Sequence, residues 1–194
     1  VFNVRGYESI NGGAPLVLVD NVPMDLNRVN PNDIESISVL KDASAAAVTL
    51  AGLLSALRVT GAGLDAQRIL CLGAGEAATG ICDLIVAAMA EAGLDGDAAR
   101  GRCWMVDSKG LVVAGRNDLA AHKRSYAHAH APVGSFLEAV RALRPTAIIG
   151  VGATPGTFTR EVVEEMSRLN ERPIVFALSN PTSRSECTAA QAYA

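Results

Sequence analysis

The sequence predicts an α/β fold: a doubly wound parallel sheet with a short strand–helix appendage at its N-terminal side. Three observations predict it. Short apolar runs recur at ILCL (from Ile69), CWMVD (from Cys103), TAIIGV (from Thr146) and PIVFAL (from Pro173), with helical pattern after the first and third. The first run enters a glycine-rich turn and then an amphipathic helix. With 49% hydrophobic and only 4% aromatic residues, and much Ala and Gly, the composition suits a globular α/β chain and not a disordered one.

The 194 residues suffice for one substantial core plus an appendage, since domains usually run to about 100–150 residues. The division falls between residues 1–44 and 45–194. In the first part PLVLVD, Pro15 to Asp20, follows the turn signal NGG and precedes NVP, so it reads as a strand. A helix then starts with Asn30 as N-cap and Pro31 in the first position, with Asp33 and Glu35 in the positive first turn. Ile34, Ile37 and Leu40 fall on one face. The stretch LKDASAAAVTLAGLL, Leu40 to Leu54, reads as one unbroken helix across the join, its alanines supplying the propensity. Residues 1–44 carry no phosphate loop, ligand cluster or nucleophile pair.

The glycine turn has the order that a dinucleotide site requires. In LGAGEAATG, Gly73 permits the tight turn, Gly75 lets backbone approach a pyrophosphate with no Cβ in the way, and Ala78 allows close packing of helix on strand. The helix beginning near Glu76 points its free N–H groups at the phosphates. The candidate cofactor loop is therefore Gly73, Ala74, Gly75, Glu76, Ala77 and Ala78, in a Rossmann-type βαβ unit. The next strand, CWMVD, ends in Asp107, where such a unit places its ribose contact; the insert GLDGDAARGR lengthens the crossover beyond the usual ~20 residues. An exposed strand-end carboxylate is the other reading of Asp107. Ser108, Lys109 and Lys123 put a hydroxyl and ammonium groups near that ribose, which suits the 2′-phosphate of NADP; solvated lysines are the alternative.

TREVVEEMSRLN is helical, with Thr159 as N-cap and Glu161 in its first turn. GATPG, with Gly152 and Ala153, follows one late strand, and SNPTS, with Asn180, follows the other. Ligands of open parallel sheets sit beyond the carboxyl ends of the strands, so the loops at Gly73, Asp107, Gly152 and Asn180 should face one crevice. Asn180 suits a polar substrate or, before Pro181, a turn. SECTAAQAYA starts a last helix with a Thr188/Gln191 capping box. No fifth or sixth parallel strand follows, so the sheet is expected to be truncated at one edge.

Other chemistries find little support. A net charge of −3 leaves no generally basic surface for nucleic acid. Apolar runs such as VTLAGLLSAL fall short of the roughly 18 residues that a bilayer crossing needs, and no signal-peptide pattern opens the chain as given. Cys71, Cys82, Cys103 and Cys187 lack C-x-x-C spacing and suit buried free thiols in a reducing compartment. His128 and His130 read as loop residues, not a metal pair, for want of an acidic ligand nearby. No G-x-S-x-G elbow supports a nucleophile.

Two resemblances account for the two parts. VRG, SINGG, PLVLVDNVPMD and NPNDIESISVLKDASAAA resemble the plug domain of SusC-type TonB-dependent outer-membrane receptors, over about residues 1–47. By itself that segment suggests an outer-membrane origin. AAVTLAGLLSALRVTG, ILCLGAGEAATGICDLIVAAM, CWMVDSKGLVV, YAHAHAPVG and ERPIVFALSNPTSRSECTAAQAY resemble the dinucleotide-binding domain of malic enzymes, over about Ala45 to Ala194. This second resemblance implies a cytoplasmic, oligomeric oxidoreductase that decarboxylates malate to pyruvate and CO2 with NAD or NADP. It assigns Gly73, Gly75, Ala78 and Gly80 to the cofactor loop, Asp107 to the ribose and Asn180 to malate. The DSK strand end and Lys123 favour NADP. The family carries an acidic pair before AAVTLAG, and one of those acids binds the metal; the aligned residues here are Leu40, Lys41, Asp42, Ala43, Ser44 and Ala45. An ammonium cannot ligate a hard cation. The expectation is a domain that binds dinucleotide, malate weakly at most, and no Mg or Mn, with the family's catalytic Lys and Tyr outside this chain. The alternatives are a plug-derived interaction module and a fusion without function.

Overall fold

Strands buried on both faces of a parallel sheet must be apolar along their whole length. β3 (Ile69–Leu72) shows the consequence, with all four residues buried. Its alternate side chains feed two cores: Ile69 and Cys71 join one cluster, Leu70 and Leu72 the other. The computed structural model describes residues 18–19, 22–23 and 43–193. The chain divides into two units, Val1–Val39 and Leu40–Ala194.

In the first unit, β1 (Leu18–Val19) pairs antiparallel with β2 (Val22–Pro23). The strand predicted over residues 15–20 is thus seen at Leu18–Val19. The helix expected from Asn30, and the stretch Leu40 to Asp42, lie outside the described residues. The helix predicted over Leu40 to Leu54 is described as α1 (Ala43–Thr60), one turn and a half longer at its C-terminal end.

The second unit continues with β3, α2 (Glu76–Glu91), α3 (Gly96–Arg100), β4 (Cys103–Asp107) and β5 (Gly110–Leu111). Then come a 3-10 helix (Ala121–Tyr126), α4 (Phe136–Leu143), β6 (Ala147–Gly150), α5 (Arg160–Leu169), β7 (Ile174–Ala177) and α6 (Ala189–Tyr193). The sheet order is β5-β4-β3-β6-β7. From β3 the chain moves to one side for β4 and then crosses back to the other for β6, so the order reverses between β3 and β6. Leu72 stands level with both Val106 and Gly150, so the parallel strands end together. α1 and α2 cover one face with Leu53, Ile85 and Met89, all fully buried, while α4 and α5 cover the other with Val140 and Met166. Each such side chain contributes about 1.5–3 kcal/mol.

The doubly wound α/β sheet is as predicted, but it is not wholly parallel. β5 is antiparallel to β4, joined to it by the turn at Ser108 and Lys109. Gly110 permits this edge: its φ is 104°, and a Cβ there would lie 2.2 Å from the Val133 carbonyl oxygen. The insert that lengthens the crossover after α2 holds α3. Asp95 caps α3, accepting from the N–H groups of Asp97 and Ala98. α4 starts on a capping box formed by Ser135 and Glu138. The predicted caps stand where expected: Thr159 accepts from Val162 N, and Thr188 and Gln191 bond reciprocally.

All four cysteines are free and buried. Cys71 and Cys82 face each other with sulfurs 3.5 Å apart. Hydrogen bonds with Cys103 and Cys71, added to burial, push the Cys82 thiol well above its ordinary value, which keeps it protonated and unreactive. Among the described residues no helix is long and apolar enough to cross a membrane.

Tyr126 ties the 3-10 helix to α2. Its ring is fully buried and its hydroxyl donates to Asp83 Oδ1 at 2.6 Å, with Arg100 lying 5.6 Å from the ring centroid. Asp83 is largely exposed and rehydrates when the hydroxyl is removed. Tyr126→Phe is therefore expected to cost only about 1 kcal/mol, read as a melting temperature lower by about 2–4 °C.

Candidate functional site

The turn after β3 and the turn after β6 meet backbone against backbone. A Cβ on Gly73, whose φ is 115°, would lie 3.1 Å from Gly152 Cα and N and from the Val151 carbonyl carbon. Val151 N donates to Leu72 O at 2.9 Å, and Gly73 N to Val106 O at 2.8 Å. Gly73 is thus fixed by the fold itself.

Gly75 presents the opposite case. Its φ of −86° and ψ of −175° are extended backbone open to any residue, and a Cβ there would meet no atom within 4 Å. Nothing among the described residues needs a glycine at this position. Gly75 is also the N-cap of α2, and no side chain caps that end. The first-turn N–H donors of the helix therefore have no side-chain cap, which suits an anion. Ala78 is 1% exposed and lets α2 press on the sheet, as the spacing predicted. Gly80 has open space in the Cβ direction, and nothing in its packing explains it. Ala74 is buried, while Glu76 is exposed and Ala77 half-buried.

His122, which the sequence reading passed over, braces this turn. Its Nε2 donates to the Ala74 carbonyl at 3.1 Å and its Nδ1 lies 3.2 Å from Glu76 Oε1. No local pattern marks a residue that acts across 48 positions.

At the end of β4, Asp107 is enclosed by cations. Its Oδ1 accepts from Arg116 Nη1 at 2.8 Å and from Lys109 N at 2.9 Å; its Oδ2 accepts from Arg116 Nη2 at 3.1 Å and Lys123 Nζ at 2.8 Å. The side chain is 9% exposed. Burial alone would raise its pKa, but the hydrogen bonds from Arg116 and Lys123 outweigh it and hold the carboxyl at about 2. Asp118 completes the network, accepting from Arg116 Nε at 3.0 Å and pairing with Lys109 Nζ at 2.8 Å. Asp107 is therefore neither the exposed carboxylate nor a residue with acceptor sites to spare for a ribose. It gathers Lys123 and Arg116 at the strand end. Lys109 and Ser108 are exposed on the adjoining turn, and Lys109 and Lys123 are paired rather than simply solvated. Arg116 was missed; its place nine residues after the strand-end acid, beyond a hairpin, was the available signal.

On the other side of Gly73, Gly152 and Ala153 are exposed and Ala153 takes φ 51°. Ala153 N donates to Ser179 Oγ at 2.8 Å, which links this turn to the one carrying Asn180. Asn180 is exposed beyond β7. The turns after β3, β4, β6 and β7 thus lie at the same edge of the sheet. His128 belongs elsewhere: its Nε2 bonds Cys103 O at 2.9 Å, at the opposite end of β4, and its ring lies 4.5 Å from Trp104. Among the described residues no group of three or more His, Cys, Asp or Glu side chains is arranged to hold a metal ion.

Residues 43–194 match the family described as malic enzyme, NAD binding domain, and residues 1–52 match the TonB-dependent receptor plug domain. The two matches overlap within the first half of α1. An NADP-dependent malic enzyme of Anas platyrhynchos is 51% identical over 148 residues, covering 76% of this chain and 27% of the relative. A chloroplastic NADP-dependent malic enzyme of Flaveria trinervia is 53% identical over 150 residues, covering 76% and 23%. The chain thus spans about a quarter of the length of these relatives. Among solved structures, the malic enzyme of Entamoeba histolytica superposes with a TM-score of 0.60 at 31% identity, over 77% of this chain and 29% of that one. The fold also matches the NAD-dependent malic enzyme of Thermotoga maritima, with a TM-score of 0.61 at 21% identity over 77% and 36%.

Proposed function

Since this chain belongs to the family of malic enzyme NAD-binding domains through residues 43–194, we propose that its crevice binds NADP in preference to NAD, as the cofactor half of malate oxidation and decarboxylation. The observation that carries the reading is Gly75, a glycine whose missing side chain leaves space that no protein atom uses. The pyrophosphate lies against Gly73 to Ala78 at the uncapped start of α2. The adenosine ribose lies over Asp107, which holds Lys123 beside the 2′-phosphate, with Ser108 and Lys109 at its rim. The nicotinamide half lies over the turns at Gly152, Ala153 and Asn180, and the amide of Asn180 meets malate. Bound there, the nicotinamide supplies the hydride acceptor; the chain's residues bind and orient it.

The preference for NADP rests on the cations drawn to Asp107 and on relatives that are themselves NADP-dependent malic enzymes. Calorimetric titration of the chain with each dinucleotide tests it. NADP is expected to bind more tightly, and Lys123→Gln to weaken NADP by about tenfold while leaving NAD within about twofold. Equal loss for both dinucleotides would remove Lys123 from the phosphate site. The reading carries with it a cytoplasmic place for this domain, which free thiols suit, and assembly with further copies.

The plug match over residues 1–52 favours a second reading, in which that segment is a receptor-derived interaction module. A folded chain that binds neither dinucleotide would favour it.

A further inference from the structure

Beneath the turns at Gly152 and Asn180 lies a buried carboxyl that cofactor binding does not use. Glu186 is 0% exposed, and its side-chain hydrogen bonds among the described residues come from Ser179 alone. Ser179 Oγ donates to Oε1, and Ser179 N lies 3.4 Å from Oε2. The fold makes special room for this group. A Cβ on Gly150, the last residue of β6, would lie 2.3 Å from Glu186 Cδ, so the carboxyl passes over a strand end from which a side chain is excluded. Burying a carboxyl is unfavourable, and an apolar side chain of similar volume would fill the same space without that cost. Stability alone does not account for it.

The geometry points instead to its neighbours. Ser179 Oγ, its O–H donating to Glu186, accepts from Ala153 N at 2.8 Å. Ala153 is in the left-handed region, φ 51°, in the turn after β6, and Ser179 immediately precedes Asn180. The backbone beside Glu186 fastens the same two segments, with Phe158 N donating to Glu186 O at 3.2 Å and Gly156 N to Ser185 O at 3.4 Å. We infer that Glu186 is a positioning residue for the nicotinamide half of the site, acting through Ser179 to hold the Gly152–Ala153 turn and Asn180 in one arrangement. This rests on the dinucleotide reading above. Asp107, which holds the adenosine half, lies on β4 across β3 from this relay, so the two halves should respond separately.

The test uses two probes on the full chain, by calorimetric titration: NADP, and adenosine 2′,5′-bisphosphate, which lacks the nicotinamide half. Ser179→Ala and Glu186→Ala are expected to weaken NADP by about tenfold while leaving the bisphosphate within about twofold. Glu186→Gln, whose amide oxygen still accepts from Ser179, is expected to bind NADP nearly as the unmodified chain does. Ser179→Ala removes a single oxygen and keeps the test open if Glu186→Ala does not fold. NADP binding unchanged in Ser179→Ala overturns the inference. So does a parallel loss of both probes, which would mark Glu186 as a residue of the fold only. An unmodified chain that binds neither probe overturns the dinucleotide reading, and this one with it.

Discussion

Gly75→Val is expected to abolish dinucleotide binding, by at least about a hundredfold, while lowering the melting temperature by only about 2–4 °C. The two halves of this result have separate causes. Valine adopts φ −86° and ψ −175° readily, and its Cβ meets no atom of the described residues within 4 Å, so the fold bears only the cost of a poorer N-cap residue, about 1 kcal/mol. Only a pyrophosphate against the turn would meet the new methyl groups, and losing its contacts with the helix start removes about 3 kcal/mol or more. Calorimetric titration beside a thermal melt reads both quantities. Retained binding would show that the ligand approaches elsewhere, and a collapsed melt would show that Gly75 matters to the fold after all.

Arg116→Ala is expected to lower stability by about 2–3 kcal/mol and to make the chain more sensitive to acid. Arg116 and Asp107 are 14% and 9% exposed and bonded through two nitrogens and two oxygens, so removing the guanidinium leaves a nearly buried carboxylate with Lys123 as its remaining cation among the described residues. In the intact chain the Asp107 carboxyl sits at about 2, below its ordinary 3.8, so the folded state favours the ionised form. That contribution, about 2 kcal/mol, is fully present above about pH 4 and is lost as pH falls through about 2. Without Arg116 the folded value moves back toward the ordinary one, so the contribution is smaller and disappears at higher pH. Urea titrations between about pH 2 and pH 7 measure the difference. An unchanged acid limb would show that Lys123 and the Lys109 N–H suffice.

Much of this was legible in the sequence, for reasons that differ by element. β3, β4, β6 and β7 are contiguous apolar runs because the sheet is covered on both sides, and the cap of α5 at Thr159 is a local bond between neighbours in the chain. β5, with two residues, has no period to detect; its course is set by Val133, more than twenty positions on. α4 carried a readable signal in Ser135 and Glu138 that went unused. For the site, the backbone requirement at Gly73 could be read from spacing. The ion pairs of Asp107 were harder to read, because Arg116 reaches it only after the chain has turned through a hairpin, and Lys123 does so from within the 3-10 helix. Glu186 was invisible for a related reason, since nothing in SECT distinguishes a buried carboxyl from a solvated one.

The contact between Gly73 and Gly152 has a bearing on redesign. Because each glycine's missing side chain is filled by the other's backbone, neither turn can be reshaped alone, and changes at the two positions should combine non-additively. Attempts to alter cofactor choice from the middle of the crevice would meet this constraint first. The hairpin between β4 and β5 lies at the sheet edge, with Ser108 and Lys109 exposed at its tip, and can be rewritten without disturbing that seam. On the dinucleotide reading proposed above, cofactor selectivity would then be an exchangeable feature of the rim, mounted on a centre that tolerates little variation.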